Sequence, residues 1–285
     1  MKAGASRGGG FGHLFTTQAA SYAHFRPDYP ASLYQRIWSF AGEGRGTGLA
    51  VDVGCGTGQA TKVLATHFDR VVAFDPSPKQ VEAATKIGTS RPAALADQPT
   101  NHRLNRDVHN VEYRVGLAEA LEGIEDESVD LLTTAQAAHW FQLEPFYREL
   151  DRVLKPKGCV AIWGYGLCRL PTPEADKLLS RYHTETLGPY WEKKRALVDA
   201  LYEHIQLPFA RTHREVIENK KEVPFKHFVG YLGTWSSLKT FREKHPEGSD
   251  PVQDLCPQLF EALQLRSEED VIHVTFPTVL ILGQK

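Results

Sequence analysis

The chain has 285 residues, 33 Lys plus Arg against 35 Asp plus Glu, and a formal net charge of -2. This length supports one large domain or a core domain with an insertion, and the charge balance argues against a nucleic-acid or membrane-surface role, both of which call for a basic stripe. No apolar run approaches the roughly 18 residues of a membrane span. The four cysteines (Cys55, Cys159, Cys168, Cys256) lack CxxC spacing and read as reduced thiols in a cytoplasmic protein.

In chain order, "MKAGASRGGGFGH" has no apolar centre of the kind a secretory signal needs, and residues 1–14 are expected as a disordered tail. "ASLYQRIWSFA" (31–41) sets Leu33, Ile37 and Phe40 on one helical face. "LAVDVG" (49–54) reads as a strand, "GQATKVLATHF" (58–68) as a helix, "RVVAFDPS" (70–77) as a strand and "KQVEAATKI" (79–87) as a helix. Residues 88–110, rich in Asn and Arg, read as an exposed loop. Strands follow in "VEYRVG" (111–116) and within 128–137, then a helix over 144–154 stopped by "KPKG", and a strand over 159–166. Strands joined by helices of this length imply right-handed crossovers and a parallel sheet.

After residue 166 the rhythm changes. Residues 172–205 read as helical, 213–218 as a strand, 224–265 as helical, and 270–283 as a long last strand. The fold class expected is α/β, a doubly wound, mostly parallel seven-stranded sheet with an antiparallel edge. Residues 15–285 form one domain in this reading, with helical cap segments at about 168–208 and 224–265.

The chemistry is concentrated in "LAVDVGCGTGQAT" (49–61), where a strand breaks into glycines. Glycine admits positive φ and close ligand approach. At such a strand-to-helix turn a dinucleotide and S-adenosylmethionine compete. The dinucleotide pattern GxGxxG/A fails here, because Gln59 stands where the third small residue belongs. Asp52 would repel a pyrophosphate and suit a ligand with an ammonium and a sulfonium. Asp75 ends the next strand, where a carboxylate accepts ribose hydroxyls.

With those residues in place, the chain resembles a known family. "VDVGCGTGQAT", "VVAFDPSPKQV", "YRVGLAEAL", "SVDLLTTAQAAHWF" and "ELDRVLKPKG" resemble, in order and spacing, class I S-adenosylmethionine-dependent methyltransferases. The small-molecule branch that includes trans-aconitate methyltransferase and its fungal relatives is the nearest likeness, and "YAHFRPDYP" and "GYLGTWSS" look like its terminal signatures. The resemblance implies S-adenosyl-L-methionine as cofactor, S-adenosyl-L-homocysteine as product, and a small-molecule acceptor. It suggests a carboxylate acceptor, with N-, S- or C-methylation, or a non-catalytic cofactor-binding regulator, as alternatives.

By position, the resemblance implies that Gly54 and Gly56 border the methionine part and that Asp52 faces its ammonium, directly or through water. It puts Asp75 on the ribose, Ala118 and Glu119 at the adenine, and Gln136 beside the methionine. Tyr22 and Arg26 would close over the cofactor, and Cys55 would act through its backbone. His139 is the candidate base or substrate contact, since an imidazole titrates near neutrality. Trp140 and Phe141 are expected to pack under the loop. Tyr190, Trp191 and Trp235 are candidates for walls of the substrate pocket, with the interior of the cap as the plainer reading. Lys194 and Arg195 read first as a solvated helix face and second as recognition of an acidic substrate. No histidine falls in a paired-ligand spacing, so no metal is expected. Partners other than a small molecule are not expected, and the chain would act as a monomer or homodimer.

Overall fold

The structure is a computed structural model and describes residues 25–42, 46–87 and 110–285. Tyr22, the tail over 1–14 and nearly all of the expected loop over 88–110 lie outside those residues.

The described elements are α1 (Ala31–Ala41), β1 (Leu49–Val53), α2 (Gln59–Ala65), β2 (Arg70–Asp75), α3 (Pro78–Ile87), β3 (Val111–Val115), β4 (Val129–Ala135), α4 (Leu143–Val153), β5 (Leu154–Tyr165), α5 (Pro173–Arg181), α6 (Arg195–Asp199), β6 (Arg211–Pro224), α7 (Phe225–Gly233), α8 (Ser236–Lys244), α9 (Pro251–Ala262) and β7 (Val271–Gln284). They fall into two compact units. A sheet unit takes Asp28–Gly166, Lys194–Asn219 and Pro277–Lys285. A helical unit takes Leu167–Lys193 and Lys220–Phe276, together with residues 25–27.

The sheet has seven strands in the order β3-β2-β1-β4-β5-β7-β6. Val51 of β1 faces Val72 of β2 on one side and Leu132 of β4 on the other, both in parallel register. β7 runs antiparallel to β5, with Ile162 opposite Ile281. This is the expected doubly wound, mostly parallel sheet with an antiparallel strand. Its inner strands are buried on both faces, which explains their near-continuous apolar runs: Val51, Val53, Val72 and Leu132 are all inaccessible. α1 buries Leu33, Tyr34 and Ile37. Tyr34 and Tyr29 meet the fully buried Trp163 of β5 edge-on, at 6.0 and 5.5 Å.

Going outward from β1, one neighbour is β2 and the other β4, so strand order reverses between β1 and β4. In open α/β sheets that reversal opens a crevice at the carboxyl ends of the strands. The glycine turn after β1 and the loop after β4 are therefore placed at the crevice by topology.

Two expectations change. "KPKG" does more than stop a helix: β5 starts directly at Leu154, and its pairing with β4 jumps from Val129↔Leu154 to Leu131↔Cys159. The extra residues are taken up by a bulge, with Lys157 at φ 67°. Residues 172–205 are not one helical run. α5 ends at Arg181, a π-type turn covers Tyr182–Thr186, and a short 3-10 turn covers Gly188–Tyr190. Pro189 lacks the N–H that a continuing helix would use, and Gly188 favours the break. The start of α5 follows the usual rule, with Thr172 Oγ1 accepting from Ala175 N and proline in the first turn.

Candidate active site

The glycine turn is built from left-handed backbone. Gly54, Gly56 and Gly58 have φ of 66°, 55° and 81°. A Cβ on Gly54 would lie 2.5 Å from the Cβ of Ala137, in the loop after β4. A Cβ on Gly56 would meet no atom within 4 Å. Gly54 is thus needed so that the two loops can touch, while Gly56 borders open space. Cys55 N donates to Phe74 O at 3.0 Å, which ties the turn to β2. The Cys55 thiol is half-buried, and burial pushes its pKa upward, so it stays protonated and unreactive.

Asp75 ends β2 beside this turn. Its Oδ2 accepts from Gly56 N and its Oδ1 from Ser77 N, each at 2.9 Å. The carboxylate therefore braces the glycine turn through its backbone, while each oxygen keeps a lone pair for a further donor.

Asp52 is the last residue but one of β1, inside the fold. Its side chain is fully buried, and its two oxygens accept from Thr61 Oγ1 at 2.6 Å and Thr133 Oγ1 at 2.8 Å. It joins β1 to α2 and β4. Burial raises its pKa to about 6, against the two threonine hydrogen bonds, which lower it. An acid whose folded pKa lies above its unfolded value favours folding fully below the unfolded pKa, here 3.8, and loses that contribution as pH rises through about 6. The loss amounts to about 3 kcal/mol. Asp52→Asn should remove this pH dependence: urea unfolding at pH 4 and pH 7.5 should show the variant gaining on the parent at the higher pH. An unchanged difference between the two pH values would contradict the assignment.

The loop after β4 begins with Gln136, at φ 55°. Its amide pins the end of β5, accepting from Tyr165 N at 2.7 Å and donating to Tyr165 O at 3.0 Å. Phe141 packs inward, 5.0 Å from Phe146, as expected, but Trp140 does not: it is 52% exposed. Lys194 Nζ donates to Trp140 O at 2.8 Å and sits 5.7 Å from the Trp140 ring. Arg195 pairs with Asp199 at 2.9 Å. Lys194 is exposed, and the Arg195–Asp199 pair is an i,i+4 pair along one helix face, as a solvated helix face carries.

His139 lies in this loop, with Nδ1 2.9 Å from the hydroxyl of Tyr202. Burial first, and then the charges of Arg195, Lys194 and His204, lower its pKa to about 4. The imidazole is therefore neutral at physiological pH. On the β3 side, Ala118 is buried, Glu119 Oε1 accepts from Gln142 N at 2.7 Å, and the neighbouring Leu117 is 56% exposed.

The remaining candidates belong to the helical unit. Trp191 and Trp235 lie 5.5 Å apart, and His183 is within 5.0 and 5.6 Å of them. Trp191 Nε1 donates to His183 O at 3.1 Å. Tyr190 stands apart from that group, with its hydroxyl 2.7 Å from His245 Nε2 and its ring 5.0 Å from Phe241. Arg26 Nη2 donates to Thr234 O at 3.3 Å. Among the described residues no helix is long and apolar enough to cross a membrane, and no three His, Cys, Asp or Glu side chains are grouped to hold a metal.

A family profile for the methyltransferase domain matches residues 51–162, from β1 through most of β5. A Dictyostelium discoideum protein that carries a methyltransferase name is 34% identical over 278 residues, covering 96% of each chain. The chain belongs to the class I S-adenosylmethionine-dependent methyltransferases. A solved structure from Anaeromyxobacter dehalogenans, titled as a type II methyltransferase, superposes on this methyltransferase with a TM-score of 0.73 at 33% identity, covering 91% of this chain and 97% of that one. A Saccharomyces cerevisiae protein named as an S-adenosylmethionine-dependent methyltransferase is 34% identical, but that match covers only 52% of this chain and 45% of the yeast protein.

The residues present in this methyltransferase fit such a donor. The open space at Gly56 and the Asp75 carboxylate beside it lie together at the strand-order reversal. Sequence reasoning missed Tyr202, Thr61 and Thr133. Thr61 and Thr133 carry a weak signal, as small hydroxyl residues at otherwise apolar buried positions. Tyr202 carries none, because its contact with His139 spans 63 residues.

Proposed function

We propose that this methyltransferase transfers the methyl group to a carboxylate oxygen of a small molecule, leaving S-adenosyl-L-homocysteine. The donor supplies an already activated methyl on a positively charged sulfur, so the protein has to bind, orient and exclude water. In this reading Asp75 holds the ribose with its spare lone pairs, and Gly54 and Gly56 carry the methionine part. Ala118 and Glu119 border the adenine, with Leu117 beside them. Gln136 shapes the wall next to the methionine by fixing the end of β5, and Asp52 acts through Thr61 and Thr133, not through direct contact.

The observation that carries the carboxylate reading is the surroundings of His139. A neutral imidazole is set near the positive charges of Lys194 and Arg195, at the end of β4 where the loop touches Gly54. Such a cationic setting attracts an acceptor that arrives as an anion, and disfavours an amine, which would have to enter uncharged. A carboxylate needs no base, because its oxygen already carries the reacting lone pair.

Lys194→Gln is the direct test of the charge reading. It should raise the KM for a dicarboxylate such as succinate or a tricarboxylate such as trans-aconitate by about fivefold or more, with affinity for S-adenosylhomocysteine unchanged. An unchanged KM, or selective methylation of amines by the parent enzyme, would contradict it.

A further inference from the structure

We infer that Tyr202 locks His139 as its Nε2–H tautomer, so that His139 donates a hydrogen bond to the methyl acceptor and does not serve as its base. This rests on the reading that the acceptor meets the loop after β4.

Tyr202 is completely buried, so its hydroxyl hydrogen must find an acceptor inside the protein. Among the described residues the partner of that hydroxyl is His139 Nδ1, at 2.9 Å. A neutral imidazole has one N–H and one lone pair. If Nδ1 accepts, the proton is on Nε2. The opposite tautomer would point Nδ1–H at the phenol oxygen and leave a buried O–H with nothing to bind. The imidazolium is disfavoured by the charges facing it, Lys194, Arg195 and His204, of which Arg195 is partly balanced by Asp199.

The surrounding backbone holds Tyr202 in place for this contact. Leu201 and Tyr202 are consecutive non-glycine residues in the left-handed region, at φ 48° and 58°. Such strain persists only where neighbours enforce it. The Arg214 guanidinium does so, donating to the carbonyls of Leu201 (3.1 Å), Tyr202 (2.8 Å) and Ile205 (2.9 Å). Gly164 makes room on the other side, since a Cβ there would approach the Tyr202 ring to 2.7 Å.

His139 Nε2 has no hydrogen-bond partner among the described residues, so its N–H is available to a ligand. It would hold one oxygen of a carboxylate while the other attacks the methyl carbon. A C–O bond forms, the S–C bond breaks, and its electron pair goes to sulfur, which becomes a neutral thioether. No proton moves. An acceptor that had to lose a proton would find no lone pair on Nε2 to take it.

The test is long-range 1H–15N spectroscopy of the protein labelled at histidine nitrogen, with His139 assigned as the pattern missing from His139→Gln. The unaltered protein should show a single neutral Nε2–H pattern between about pH 6 and 8, and Tyr202→Phe should turn it into a mixture of tautomers. An Nδ1–H pattern in the unaltered protein would overturn the inference, as would an unchanged pattern in Tyr202→Phe. The spectra need no acceptor, so they decide the tautomer even if the carboxylate reading fails. With trans-aconitate or succinate as acceptor, His139→Gln, which keeps an N–H donor, should retain about tenfold more turnover than His139→Ala. Equal loss in both would mark His139 as a base.

Discussion

Gly54→Ala is expected to destabilise the protein by roughly 2–5 kcal/mol, read as a shift of the urea unfolding midpoint. Two costs add. Alanine at φ 66° carries the cost of left-handed backbone for an L-residue, about 1–2 kcal/mol, and its Cβ would lie 2.5 Å from the Cβ of Ala137. Neither group is a flexible chain end, so backbone must move. Gly56→Ala provides the comparison. Gly56 has φ 55° and open space around it, so only the backbone cost applies, about 1–2 kcal/mol. Equal midpoint shifts for the two variants would show that the contact between the glycine turn and the β4 loop is not tight. The larger shift in Gly54→Ala would place the stability of the crevice in that contact.

The second large effect is expected for Asp75→Ala. In the structure its oxygens accept from Gly56 N and Ser77 N. In the proposed complex they accept from the ribose as well. A hydrogen bond to a charged acceptor contributes about 1.5–3 kcal/mol. Loss of the ribose contacts should therefore weaken S-adenosylhomocysteine binding at least about tenfold in calorimetric titration, beyond any change in melting temperature. The two roles separate cleanly. A lowered melting temperature with unchanged affinity would leave Asp75 as a brace of the turn and nothing more.

Much of the sheet unit was legible in the sequence because its signals are local. Apolar runs such as Leu49–Val53 and Arg70–Asp75 end in an aspartate or glycines, and Ala31–Ala41 has a clear helical face bounded by Pro30 and Gly42. The stretch over 172–205 was less legible, since apolar spacing there does not reveal that Gly188 and Pro189 break the run. "KPKG" misled because proline and glycine usually end structure, whereas here they form a bulge inside β5.

At the site, motif positions were legible but side-chain directions were not. Asp52 sits where the motif puts it, yet alternation along β1 turns its carboxylate inward to Thr61 and Thr133. Trp140 and Phe141 are neighbours with opposite fates, one exposed and one packed on Phe146. His139 was visible as a candidate, but its chemistry depends on Tyr202, which no local pattern connects to it.

The most direct measurement of the proposed chemistry follows the methyl group itself. The protein is incubated with S-adenosylmethionine deuterated in its methyl group and a set of di- and tricarboxylates, amines, thiols and phenols, and the products are read by mass spectrometry before and after mild alkaline hydrolysis. A labelled methyl ester, formed only from the carboxylates and released by alkali, is the predicted result. A label that resists alkali, on nitrogen, sulfur or carbon, would contradict it.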